Sequence, residues 1–347
     1  MKKFTVLFVV FALSCMMVGC NSQVVTYNPA KPYWLNEGSY SNVVDTSVNE
    51  VCVYNVTYSE VASPNQYVKV SYDESTYTTT LKAEKFPAEK GDYCYVYSTS
   101  YDMKGKYTVD GTDYPFHDVT TTKVYFTWDS GFNFKYSERE THTTLPVNAS
   151  ATPDAKGNRV VTTAGKETIT YSGSVATTTF EALENADYFG LKNGFNGTIK
   201  KITSANYVDY NLLNFALRSF DFSTSLSYTF YSADVISNNR HQMRFSSKGT
   251  VSENIKNLLK NGVPQFGTQV RDANGKYGEG ENRYDYVLNA ETFSFSVALN
   301  ETYSGTAITC NYFSDEMNMH HYLYKMETPL PYNMGLLTYT LTEIKTN

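Results

Sequence analysis

Short runs in which every second residue is apolar or aromatic recur along most of this chain, roughly ten residues apart. Val51 to Tyr58, Tyr67 to Tyr72, Tyr77 to Ala83 and Tyr93 to Tyr101 come first. Lys123 to Trp128 and Phe132 to Tyr136 follow, separated by Asp129-Ser130-Gly131. That tripeptide predicts a three-residue hairpin, because glycine takes positive φ without a Cβ clash. Residues 146–158 hold Pro146, Pro153, Gly157 and Asn158 and read as a loop; Arg159 to Phe180 then continues as strand. The period lengthens near Tyr207 to Leu217, where Val208, Leu212, Phe215 and Ala216 fall at helical spacing. A second helix is expected from Glu253 to Asn261, with Ser252 as cap, Ile255, Leu258 and Leu259 as its stripe, and Gly262 as its stop. Strict alternation returns at Phe293, Phe295, Val297 and Leu299, with Gly305 to Phe313 as hairpin partner and Leu337, Tyr339 and Leu341 as a last strand. The expected fold is mainly β: a large curved antiparallel sheet, half-barrel or sandwich-like, with one or two helices packed on it.

Composition agrees with that pattern. Charged residues make up 18% of the chain and aromatics 15%, with 31 tyrosines. Charge is low for a soluble domain, and Tyr and Thr suit a pleated, half-buried surface. A net charge of −6 without basic clusters argues against nucleic acid as a partner.

The amino terminus stands apart. Met1-Lys2-Lys3, an apolar run from Phe4 to Val18, and Gly19-Cys20 before polar Asn21-Ser22-Gln23 make up a signal sequence too short for a comfortable membrane span. The small residue before a cysteine resembles the lipobox of bacterial lipoproteins, although Met17 stands where that motif usually has leucine. The resemblance implies removal of residues 1–19, lipid attachment at Cys20, and an extracytoplasmic protein anchored by lipid to a bacterial membrane. Residues 20–48 read as a lipid-proximal tether and 49–347 as a single mainly-β domain. Cys52, Cys94 and Cys310 remain; Cys52–Cys94 would be the first pairing outside the cytoplasm, but three buried free thiols fit their apolar-aromatic surroundings better.

Candidate chemistry is sparse. Asp272-Ala273-Asn274-Gly275-Lys276 has oxygens at alternate positions, but Arg283 stands where a calcium loop needs its closing acid, so a turn is expected; the same holds for Asp154 to Asn158. His320-His321 are adjacent and would point to opposite faces of a strand, and His117-Asp118 and His142 are isolated. No catalytic residue, metal site or cofactor is assigned. Tyr93, Tyr95, Tyr97 and Tyr101 share one strand face, which either packs the core or offers an aromatic platform for sugars. The helix Tyr207 to Leu217, then Arg218-Ser219-Phe220-Asp221 and a strand from Leu226 to Tyr231, resembles the texture of half-barrel lipoprotein carriers. That resemblance implies a non-catalytic envelope protein binding an apolar or amphipathic ligand in a concave sheet. The alternative is a surface adhesin or glycan-binding module using exposed tyrosines.

Overall fold

The computed structural model describes residues 25–26, 31–35, 43–88, 92–185, 188, 195–200, 202, 207–220, 222, 227–235, 239–264, 268–270, 285–298, 307–314 and 320–347. Cys20 with its signal, the Asp272–Lys276 segment and Leu299 lie outside them.

The first half of the chain is a meander of neighbouring strands. After the short β1 (Val25–Thr26) come β2 (Asn49–Ser59), β3 (Val68–Lys85), β4 (Tyr93–Val109), β5 (Thr112–Trp128) and β6 (Phe132–Pro146). Next are β7 (Val160–Ser172), β8 (Val175–Glu184) and β9 (Phe195–Lys200), and each strand from β2 to β9 pairs antiparallel with the next. The second half holds β10 (Ser227–Asp234), β11 (Asn239–Lys256), β12 (Leu259–Lys260), β13 (Val263–Pro264), β14 (Thr268–Val270) and β15 (Asp285–Ala298). It ends with β16 (Ala307–Phe313), β17 (Leu323–Pro329) and β18 (Leu336–Thr346). β18 pairs antiparallel with β2, so the two halves form one sheet that curls into a nearly closed, barrel-like wall.

The expected strands are present, often longer than the pattern suggested. Tyr67–Tyr72 and Tyr77–Ala83 are two ends of β3, joined through a bulge between Tyr72 and Ser75. Arg159–Phe180 is a hairpin, turning at Gly173 with φ 57°. The loop at Asp129–Gly131 closes as expected, with Ser130 at φ 54° sharing the left-handed backbone. The helix expected over Glu253–Asn261 is not formed. Glu253 to Lys256 belong to β11, which pairs with both β10 and β15, and the chain then turns into β12. The ladder to β15, which runs on from Glu253↔Ala290 to Lys256↔Val287, outweighs a stripe only two turns long, which is too short to hold a helix unaided.

The other helix forms inside the curl. Asp209 caps it by accepting from the Asn211 amide at 2.8 Å, and α1 (Leu213–Ala216) is flanked by tight turns over Tyr210–Leu212 and Leu217–Ser219. Leu212, Phe215, Ala216 and Leu217 are fully covered by the concave wall, as the Tyr97–Phe215 ring pair at 4.8 Å shows. Trp34, from the segment before β2, enters the same core against Phe215 at 5.2 Å and Tyr95 at 4.9 Å. A smaller cluster, with Ile169, Phe180, Ile199, Tyr207 and Val235, packs where β7–β9 approach β10.

On β15, Phe293, Phe295 and Val297 face the core as their alternation predicts. The alternate positions are covered as well: Thr292 and Ser294 are buried and Ser296 is half-buried. The neighbouring Phe313–Tyr324 ring pair and the Asn311–Glu253 hydrogen bond show that a polar residue here does not mark a solvent face.

Candidate functional site

Inward positions of adjacent strands align in rows, and one row changes character along its length. Cys52, Thr79, Thr99, Thr122, Arg139 and Glu167 stand side by side across β2–β7. The next row places Tyr77 beside Tyr101 and Thr120. That second row is therefore aromatic at β3 and β4 and hydroxylic at β5. The helical segment Tyr210–Ser219 acts as a plug inside the curl and leaves a cleft of about 360 Å³ beside α1.

One side of the cleft is aromatic and thioether. Tyr77 and Tyr101 stack with centroids 4.3 Å apart, Tyr339 meets Tyr101 edge-on at 5.8 Å, and Met103 and Met326 fill the gaps. The other side is polar. Thr99 and Thr122 share a hydrogen bond of 2.6 Å, and Thr120 and Thr143 continue the hydroxyl surface. Arg139 lies 3.7 Å from Glu167 and 5.9 Å from the centre of the Tyr210 ring, which is exposed at the mouth. The plug supplies Asn211, whose amide donates to Ser137 Oγ at 2.9 Å, and Asn214, whose amide reaches Met326 Sδ at 3.1 Å.

Asp118 is the acid of the cleft. Burial pushes its carboxyl up to about 6, although the Thr144 amide donating at 2.8 Å and nearby His117 favour the ionised form. Burial also pushes the Tyr77 and Tyr101 hydroxyls well up, so both remain protonated donors. Beneath the plug, Arg218 pairs with Glu50 through two nitrogens at 2.6 and 3.1 Å, and its guanidinium lies 4.5 Å from the Tyr322 ring centre. At the other flank, the buried Asp209 accepts from Tyr171, and burial raises its carboxyl.

The residues singled out in sequence scatter. His117 points outward to Asp102 at 2.8 Å, while its neighbour Asp118 points into the cleft. His142 meets Glu140 at the surface. His320 and His321 form a turn with φ 47° and 50°; His321 stacks on Tyr33 and Phe222, and His320 hydrogen-bonds the Tyr33 carbonyl at 3.1 Å. They fasten the segment carrying Trp34. Asp154 organises its own loop by accepting from the Lys156 and Asn158 amides. Cys52, Cys94 and Cys310 are buried and form no disulfide with one another, and burial pushes the Cys310 thiol up to about 12 and Cys52 well up, the condition of inert thiols. No group of three or more His, Cys, Asp or Glu side chains that could hold a metal occurs among the described residues. Of the tyrosine row on β4, Tyr95 and Tyr97 are core, Tyr101 is half-buried in the cleft and Tyr93 alone is exposed; the row is an interior feature. Arg139, Asn211 and Asn214 were not singled out, and Asp118 only as the neighbour of His117; strand register and the seating of the plug bring them together.

The outer face of β3–β6 carries a polar row, Thr78, Ser100, Thr121 and Glu140, and beside it an apolar cluster of Cys94, Val96 and Tyr125 packed with Phe86 and Tyr136. No helix among the described residues is long and apolar enough to cross a membrane.

Fold and site together define a barrel-like antiparallel β protein with a plugged interior and one mixed aromatic–hydroxyl cleft. No protein-family model and no curated protein matches the chain. Among solved structures, it is similar to a β-barrel-like protein of a domain of unknown function from Brucella abortus, at 8% identity and a TM-score of 0.44, over 88% of this chain and 100% of that one. A candidate lipoprotein from Parabacteroides distasonis matches at 9% identity and a TM-score of 0.21, over 86% of this chain and 96% of that one.

Proposed function

We propose that this protein is a non-catalytic, lipid-anchored component of a bacterial envelope that binds a small amphipathic ligand in the cleft between its plug and its concave wall. The cleft carries the reading: at about 360 Å³ it has the size of a small-ligand site, with an aromatic side and a hydrogen-bonding side. The lipobox-like run ending at Gly19-Cys20 supports the anchor. Val25, paired in register with Tyr228 at the sheet edge, stands five residues beyond Cys20. Five extended residues reach at most about 17 Å, so an anchored chain holds this edge close to the bilayer surface.

Two measurements test the reading. Native mass spectrometry of the gently purified protein should show a bound small molecule, and Thr120→Trp, which fills the cleft from β5, should remove it. A ligand retained by Thr120→Trp places binding elsewhere. Cys20→Ser should yield an unprocessed precursor or a soluble product, and unchanged membrane partitioning would refute the anchor.

A further inference from the structure

We infer that the cleft's ligand is a neutral saccharide rather than an acyl chain or an anion; this rests on the ligand-binding reading above and narrows it. An acyl chain would lie against the hydroxyls of Thr99, Thr120, Thr122, Thr143 and Thr328 and the carboxyl of Asp118. Polar groups covered by hydrocarbon lose their water without gaining a partner, which costs free energy at each one. The Thr99–Thr122 pair makes the point locally. Two hydroxyls share one hydrogen bond, which leaves the second proton of the pair for a further acceptor.

An anion fits no better. The cation of the cleft, Arg139, already faces Glu167 at 3.7 Å, and Asp118 contributes negative charge to the same lining. One cation set against two acids leaves the cleft with net negative charge, and an added carboxylate or phosphate would meet repulsion from both acids.

A sugar ring satisfies both sides together. Its C–H faces are apolar and suit the flat bodies of tyrosine, while its hydroxyl edge both donates and accepts. Tyr101 and Tyr210 supply the flat bodies, backed by the buried Tyr77 and Tyr339; the threonine hydroxyls and Asp118 supply the partners. Tyr210 holds the mouth, where a chain of further sugar units could leave the cleft.

The test titrates the purified full chain with cellotetraose, chitotetraose and mannotetraose, and separately with the fluorescent fatty acid 11-(dansylamino)undecanoic acid. At least one tetrasaccharide should bind. Tyr210→Ala and Asp118→Asn should each weaken it by about tenfold, while Tyr332→Ala, an exposed tyrosine outside the cleft, should leave it unchanged. Near-UV circular dichroism of each variant separates lost binding from lost fold. Saccharide binding that survives both cleft substitutions overturns the assignment. Uptake of the fatty acid alone, abolished by Tyr210→Ala, overturns the saccharide class while sparing the ligand-binding reading. Binding of none of the four probes overturns both.

Discussion

Arg218 and Glu50 are taken out of bulk water as a pair, at 4% and 6% exposure. Their value lies in what happens when one is removed. Arg218→Ala strands a carboxylate beneath the plug and should cost about 3–5 kcal/mol in urea denaturation. The double change Glu50→Gln with Arg218→Met should recover most of that loss, because no charge then remains buried. Asp118 leaves a different trace. Its folded carboxyl keeps its proton up to about pH 6, while the unfolded one releases it near 4, so the folded state binds more protons between those values. Unfolding free energy should therefore fall as pH rises through that window, by about 3 kcal/mol from this group. Asp118→Asn should flatten the slope between pH 4 and 6.5, and a slope unchanged by the substitution would refute the assignment to Asp118. Little of this was legible in the chain. His117-Asp118 reads as two neighbours on opposite faces, and nothing local says which of them faces inward.

Strands were legible because a sheet with one apolar face writes a period of two into its sequence, as at Phe293, Phe295 and Val297. What the pattern could not convey was how much covers the other face. Phe295 contacts Phe220, Phe222, Phe245 and Tyr312, so Phe295→Ala should lower stability by about 3–5 kcal/mol, read from the denaturant midpoint. The plug was legible as an apolar stripe laid on the concave side of the sheet, but the fate of its polar back was not. Its asparagines look like a solvent-facing back in sequence, yet Asn211 and Asn214 spend their amides on Ser137 and Met326 within the wall. Trp34 was read as part of a tether and is core, where it meets Tyr95, Phe126, Trp128 and Phe215. Trp34→Ala should cost about 3–5 kcal/mol and shift the near-UV dichroism of the remaining Trp128.

At the scale of the molecule, closure depends on β18. It is bonded to β17 on one side and β2 on the other, so Thr340→Pro removes a ladder donor from a central strand and should cost at least about 3 kcal/mol, seen as loss of near-UV dichroism. A single curved sheet could be expected from the strand texture, whereas the β2–β18 adjacency could not, because it joins residues as distant as Thr57 and Thr338, 281 positions apart. That distance also sets an order of events during synthesis. β3 can pair with β2 as soon as both have been made, but the opposite edge of β2 must wait for nearly the whole remaining chain. Through that interval it offers a bare strand with Val51, Val53 and Tyr54 on its two faces, the kind of edge that recruits a second nascent copy. The protein is thus most exposed to misassembly before its last strand emerges, and a chain stalled short of β18 would be a seed for aggregation rather than a smaller version of the barrel.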